Sequence, residues 1–189
     1  MRMSRLVEKL AVKLPKNLRG PMIEHVMALK ELIEGELETA RKSTDMATKL
    51  AVTKKIVTTC TAACTTVGVE PIPLADFPIL TAVQVLMVGS IMRVSGREIS
   101  RKAIGEFLSA LGMNIGAGLF FREGARAAIK VLPGFGSAIS GAIAGGATYA
   151  LGRAATAYFV EGKPLPEVKR LFRLPSPWRK PKPPALPEK

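Results

Sequence analysis

Glu70-Pro71-Ile72-Pro73-Leu74-Ala75-Asp76-Phe77-Pro78 is the stretch that decides how this chain folds. Residues 56–69 before it and residues 77–92 after it carry no charge. Proline has no backbone N–H and restricts the residue before it, so Pro71 and Pro73 stop a helix that arrives from upstream. Asp76 suits a helix N-cap and Pro78 a first turn, so a second helix can start at once. The stretch reads as the corner of an apolar helical hairpin. Whether lipid or protein surrounds that hairpin becomes the main functional question.

Around the corner the composition favours helices. Of 189 residues, 48% are hydrophobic but only 5% are aromatic, and 17 are glycine. Ala, Val, Ile, Leu and Met interleaved with Gly suit close helix–helix packing better than a sheet of large β-branched and aromatic residues. The expected class is all-α: two stacked apolar helical hairpins, an N-terminal amphipathic helical segment, and a disordered Pro-rich tail. The matching divisions are 1–45, 46–162 and 163–189.

Residues 3–14 can form a short helix, which Pro15 and Gly20-Pro21 break. A longer helix begins at Pro21. Met22, Val26, Leu29, Ile33 and Leu37 make a stripe at helical spacing, with Glu24, Glu31, Glu34 and Glu38 on the other faces. The default for such a stripe is core packing; the alternative is a face for another protein. A further helix runs from about Asp45 to Gly68, the corner follows, and the next helix runs from about Phe77 to Ser95, closed by Gly96. Arg97 to Lys102 is a charged hinge before a helix from about Glu98 to Leu111. A glycine cluster at 112–118, a turn at Pro133-Gly134-Phe135-Gly136 and a Gly/Ala-rich helix from Ser137 to about Val160 complete the second hairpin. A short helix can follow Pro164. From Leu174, prolines alternate with Arg179, Lys180 and Lys182, a composition expected to be extended and disordered when alone.

The charge-free runs are short for spanning helices. Ile56–Val69 and Phe77–Met92 would be about 21 and 24 Å long as helices, and Ser137–Gly152 about 24 Å; crossing the hydrocarbon takes about 30 Å. Lys49, Lys54 and Lys55 precede the first run, and Arg93, Arg97, Arg101 and Lys102 follow the second. Both outer ends are basic, so the positive-inside rule places both on the cytoplasmic side. The corner would then dip into the bilayer and return, with Glu70 and Asp76 arguing against deep burial in lipid. A hairpin buried in protein and a hairpin inserted in a membrane both stay open; a multi-span protein is the poorest fit.

The formal charge is +13, with eleven bases to five acids in residues 46–160 against nine to seven in residues 1–45. A basic excess favours an anionic membrane surface or nucleic acid. Nucleic acid is not expected as a partner, because the bases sit at the ends of apolar segments and no aromatic single-strand platform or zinc pattern accompanies them. No signal peptide is expected at residues 1–14, where Arg2, Arg5, Glu8, Lys9 and Lys13 interrupt the apolar residues.

Catalytic chemistry is hard to assemble. Gly145-Gly146 is not followed by Gly-Lys-Ser/Thr, so no phosphate loop is present. His25 is the only histidine and lies on an acidic helix, where a structural or surface role is the plain reading. Cys60 and Cys64 share one helix face without further metal ligands and read as small packing residues. Gly112/Gly116 and Gly141/Gly145, each four apart, read as tight packing of the second hairpin rather than a dimerisation face. No catalytic residue, cofactor or metal site is expected.

Gly68-Val-Glu-Pro-Ile-Pro-Leu-Ala-Asp-Phe-Pro-Ile-Leu-Thr-Ala-Val-Gln-Val-Leu-Met-Val88 resembles the signature of the bacterial YcjF-like, GTPase-associated family of unknown function. Val131-Leu-Pro-Gly-Phe-Gly-Ser-Ala-Ile-Ser-Gly141 and Ala147-Thr-Tyr-Ala-Leu-Gly-Arg-Ala-Ala-Thr-Ala-Tyr-Phe159 fit the same family, so the resemblance covers about residues 46–162. It implies membrane association, since members are often predicted membrane proteins, and a link to a GTPase, since many carry such a domain N-terminal to this one. The 45 residues that precede the match are too few for a GTPase domain. The resemblance therefore implies a GTPase in trans, or a domain that works without one. It offers no catalytic residues.

The expected function is a non-enzymatic, membrane-associated helical module at the cytoplasmic face, coupling a separate GTPase to the bilayer. Ile72, Leu74 and Phe77 would enter lipid or a partner groove, and Lys54, Lys55, Arg93, Arg97, Arg101 and Lys102 would hold anionic head groups. The alternative is a cytoplasmic helical scaffold that binds a partner through the Met22–Leu37 stripe.

Overall fold

The computed structural model describes residues 16–69, 76–111 and 136–172. They form six α-helices and, among the described residues, no strand. The helices are α1 (Lys16–Lys42), α2 (Met46–Val69), α3 (Asp76–Val94), α4 (Arg101–Ala110), α5 (Gly136–Ala155) and α6 (Leu165–Phe172). A wider π turn, Thr156–Val160, extends α5. The fold is all-α, as the composition and periodicity indicate. The short helix expected over residues 3–14, most of the corner, the glycine cluster and the tail from Leu174 lie outside the described residues.

α1 starts five residues earlier than the sequence suggests and runs through Gly20-Pro21. Pro21 is the sixth residue of α1, past the first turn, so the helix continues through it at the cost of one backbone hydrogen bond. The apolar stripe behaves as expected for core packing: Val26, Leu29, Ile33, Leu37 and Ala40 are buried. The exposed side of the helix carries charges, including the pairs Lys30–Glu34 at 3.0 Å and Lys42–Glu38 at 3.9 Å, along with an exposed Leu32.

A three-residue link turns the chain back. The Asp45 amide donates to Ser43 Oγ (3.1 Å), and Asp45 Oδ2 accepts from Thr48 N (2.9 Å) and Thr48 Oγ1 (3.0 Å), which caps α2. These donors favour the ionised form and hold the Asp45 carboxyl below its ordinary range.

α2 is the central helix. It contacts α1, α3, α5 and the π turn, most extensively α5. Its buried positions Val52, Thr53, Ile56, Val57, Cys60, Cys64 and Gly68 follow the helical repeat. Glycine sets the closeness of the α2–α5 pair. A Cβ on Gly68 would lie 2.9 Å from Ala144 Cβ, one on Gly141 would lie 2.9 Å from the Thr65 carbonyl oxygen, and one on Gly145 would collide with Thr65 Oγ1. Gly152 backs onto Val57 and Met87, so that α2, α3 and α5 meet at one level. Along α5 the contacts run from Val69 down to Val57, so α2 and α5 are antiparallel. Gln84 Nε2 donates to Thr148 Oγ1 (3.1 Å), fixing α3 parallel to α5.

This pairing changes the expected plan. Gly141 and Gly145 do serve tight internal packing, but against α2, which the sequence assigns to the other hairpin. The close approach that glycine permits joins the two halves more extensively than the corner joins α2 to α3. Much of the second hairpin's first arm falls in residues 112–135, outside the described residues.

Gly96 (φ +82°) closes α3 as the sequence suggests, with Gly96 N donating to the Arg93 carbonyl and Arg97 N to that of Met92, each at 3.0 Å. Gly162 (φ +69°) closes the π turn in the same way, and Lys163 N reaches back to the Ala157 carbonyl at 2.8 Å. α4 begins with Ser100 capping Ala103 N and docks through Ile104 and Phe107. Phe107 stacks on Tyr158 (ring centroids 5.4 Å) and packs at a tilt against Phe159 (4.9 Å). α6 is anchored by fully buried Val168.

Candidate functional site

The charge-free runs form a single block. Because Gly152 meets both Val57 and Met87, residues 56–69 of α2, 77–92 of α3 and 136–152 of α5 lie side by side. The block is about 21–25 Å tall at 1.5 Å per residue. Among the described residues, no helix is long and apolar enough to cross a membrane.

The exposed side of this block is as uncharged as its core. On α2 the exposed positions are Thr58, Ala62, Thr66 and Val69; on α5 they are Ala138, Ala142, Gly146 and Tyr149. The threonine hydroxyls turn inward. Thr58 Oγ1 donates to the carbonyls of Lys54 (3.1 Å) and Lys55 (2.9 Å), and Thr66 Oγ1 to that of Ala62 (3.1 Å). Such residues present methyl groups and keep their donors occupied, which suits a medium poor in water.

The cations gather at the opposite end, the base. Lys54 and Lys55 lie within a turn of Val57, Arg153 adjoins Gly152, and Arg93 lies about 9 Å along α3 from Met87. Lys54, Lys55, Arg93, Arg97 and Lys102 are all exposed. They are not equivalent. Lys55 Nζ pairs with Glu36 at 3.2 Å and Lys102 Nζ with Glu106 at 3.9 Å. The Arg97 guanidinium carbon sits 5.5 Å from the Phe159 ring centroid and 5.9 Å from that of Tyr158, a cation–π contact to its own chain. Lys54 and Arg93 make no ion pair among the described residues. Arg101 opens α4, but its side chain lies outside the described residues, as do Ile72, Leu74 and the Phe77 side chain at the corner.

The base also holds a cleft of about 560 Å³ between α1 and the ends of α2 and α3. Glu34 and Glu38 line the α1 side, Lys49 and Arg93 the other, and Ser43 and Thr44 come from the α1–α2 link. The sequence gives no sign of this cleft, because its walls come from three helices. Arg153 was legible only as the first charge after a long neutral run; the Gly152 contact is what gives its level.

His25 is exposed, as its place on an acidic helix suggests. Cys60 and Cys64 are fully buried, in keeping with their reading as packing residues. Burial pushes the Cys64 thiol up to about 11, with a hydrogen bond to Thr148 acting against it. Cys60 is raised further, first by burial and then by Cys64. Both stay protonated at neutral pH and are poor nucleophiles and poor ligands. Among the described residues, no group of His, Cys, Asp or Glu forms a metal-binding set. The Met22–Leu37 stripe is spent on the protein's own core from Val26 onward, so it is not a free face for a partner.

No family model, curated protein or solved structure matches the chain.

Proposed function

We propose that this chain is a non-enzymatic, membrane-associated helical module that seats its charge-free block in the acyl region of a cytoplasmic membrane leaflet and its base among anionic head groups. One observation carries the reading: the water-exposed positions of α2 and α5 above Val57 are Thr, Ala, Gly, Val and Tyr, with no charge among them. A helix face destined for water normally carries charge, as α1 does. A block about 21–25 Å tall does not span about 30 Å of hydrocarbon, so the module enters one side and returns. The corner residues Ile72, Leu74 and Phe77 would lead the insertion. Lys54 and Arg93, without partners among the described residues, are best placed to meet phosphates; Lys55, Arg97 and Lys102 are partly engaged by their own chain.

The resemblance of residues 68–88, 131–141 and 147–159 supports a GTPase partner acting in trans, which the module would tether to the bilayer. Vesicle flotation tests the lipid part: the chain co-floats with anionic vesicles at low salt, and binding weakens as salt screens the cations. Failure to co-float at low salt overturns it. Affinity purification from native membranes tests the coupling, which requires a GTP-binding protein among the interactors.

A further inference from the structure

Two carboxylates and two cations face each other across the cleft at the base without closing it. Glu34 is engaged on its own helix by Lys30 at 3.0 Å, and Glu38 by Lys42 at 3.9 Å. Among the described residues, neither carboxylate pairs with Lys49 or Arg93, although all four line the same space of about 560 Å³. Lys49 is half-buried and Arg93 exposed, and Ser43 adds a hydroxyl between the walls. A ligand complementary to both walls carries both signs itself.

We propose that this cleft binds a phosphoethanolamine group, the zwitterionic head of a membrane lipid. The phosphate oxygens accept from the Arg93 guanidinium and the Lys49 ammonium, charge-assisted contacts that Arg in particular makes with two donors at once. The primary ammonium donates to the Glu34 and Glu38 carboxylates. A trimethylammonium has no N–H to donate, so the acidic wall distinguishes ethanolamine from choline. The inference rests on the membrane reading for its location: the cleft lies at the base, the level of head groups when the block occupies the acyl region.

The test uses the full chain. Flotation is measured on vesicles of phosphatidylglycerol mixed either with phosphatidylethanolamine or with phosphatidylcholine, and NMR titration follows soluble O-phosphoethanolamine at the Ser43 and Lys49 amides. The expected result is binding about tenfold tighter with the ethanolamine lipid, given two added charge-assisted hydrogen bonds. Glu34→Gln with Glu38→Gln abolishes that preference and leaves binding to phosphatidylglycerol intact. Lys49→Gln with Arg93→Gln abolishes it as well. None of these side chains is fully buried, and unchanged circular dichroism melts confirm that the variants fold. A response to the soluble compound without a lipid preference supports the cleft chemistry and assigns it to a free solute. Equal binding to both lipid mixtures together with no amide shifts overturns the proposal, even where anionic binding persists. If no vesicle binds at all, the membrane reading fails, and the soluble titration alone decides the cleft.

Discussion

α1 and the α2–α5 pair belong to one fold but present different outer faces. α1 buries a stripe at Val26, Leu29, Ile33 and Leu37 and covers its outward face with Glu31, Glu34, Glu38 and Lys42. α2 and α5 bury Ile56, Cys60, Cys64, Ala144 and Leu151 on one side, yet show Thr58, Ala62, Thr66, Ala142 and Gly146 on the other. Their attachments differ too. α1 docks by large aliphatic side chains, whereas α2 and α5 approach through Gly68, Gly141, Gly145 and Gly152. The contrast teaches that an amphipathic pattern reports only where charges stop. In α1 they stop at the core; in the upper part of α2 and α5 they are absent from the exposed positions as well as the buried ones.

The largest effect expected on this contrast is at α1. Ile33→Ala removes a side chain 1% exposed and costs about 2–5 kcal/mol. Chemical denaturation measures it, and a loss well below that range would mean α1 is only loosely attached. Next comes Gly152→Ala. Its Cβ would lie 2.7 Å from both γ-methyls of Val57 and 3.1 Å from Met87 Sδ. Val57 is β-branched and stiff in a helix, so the overpacking costs about 1–3 kcal/mol. Gly146 provides the opposite sign on the same helix: nothing lies within 4 Å of its added Cβ, so Gly146→Ala stabilises by about 0.5–1 kcal/mol. A destabilised Gly146→Ala would show that this outward face is covered by something.

Ala62→Glu moves stability by less than about 0.5 kcal/mol, being an exposed helix position. It nevertheless removes vesicle flotation, because it gives α2 the charged exterior that α1 already has. Retained flotation would place the lipid contact elsewhere. The smallest effect is at the link between the two regions. The Asp45 carboxyl is held below its ordinary value, so its cap is at full strength above about pH 4. That contribution fades as pH falls through the lower folded-state value. Asp45→Asn keeps a cap but flattens this acid limb in a pH series of thermal melts.

Much of the fold was legible in the chain. Asp76 starts α3 and Gly96 ends it, as the corner and the turn glycine indicate. The 22–37 stripe packs inward where it is described, and the two cysteines are buried. Gly20-Pro21 misled, because the proline removes one backbone hydrogen bond without ending a helix whose stripe is packed into the core. The partner of the Gly141/Gly145 face was also not legible, since a small-residue face declares close packing but not with which helix. The sequence placed Lys54 and Lys55 together at the end of a neutral run but could not distinguish Lys55, tied to Glu36, from Lys54, which has no such tie among the described residues.

By itself the sequence determined an all-α chain, the limits of its neutral runs and the excess of bases flanking them, because helix stops and charges are local properties. Only the tertiary structure decided that three runs far apart in sequence lie level, that Lys49 and Arg93 share a cleft with Glu34 and Glu38, and that Arg97 leans on Tyr158 and Phe159. Those facts depend on the register between helices. Register is set where backbones meet, at Gly152, Gly145 and Gly68, and the periodicity within one helix carries no record of its neighbour's position.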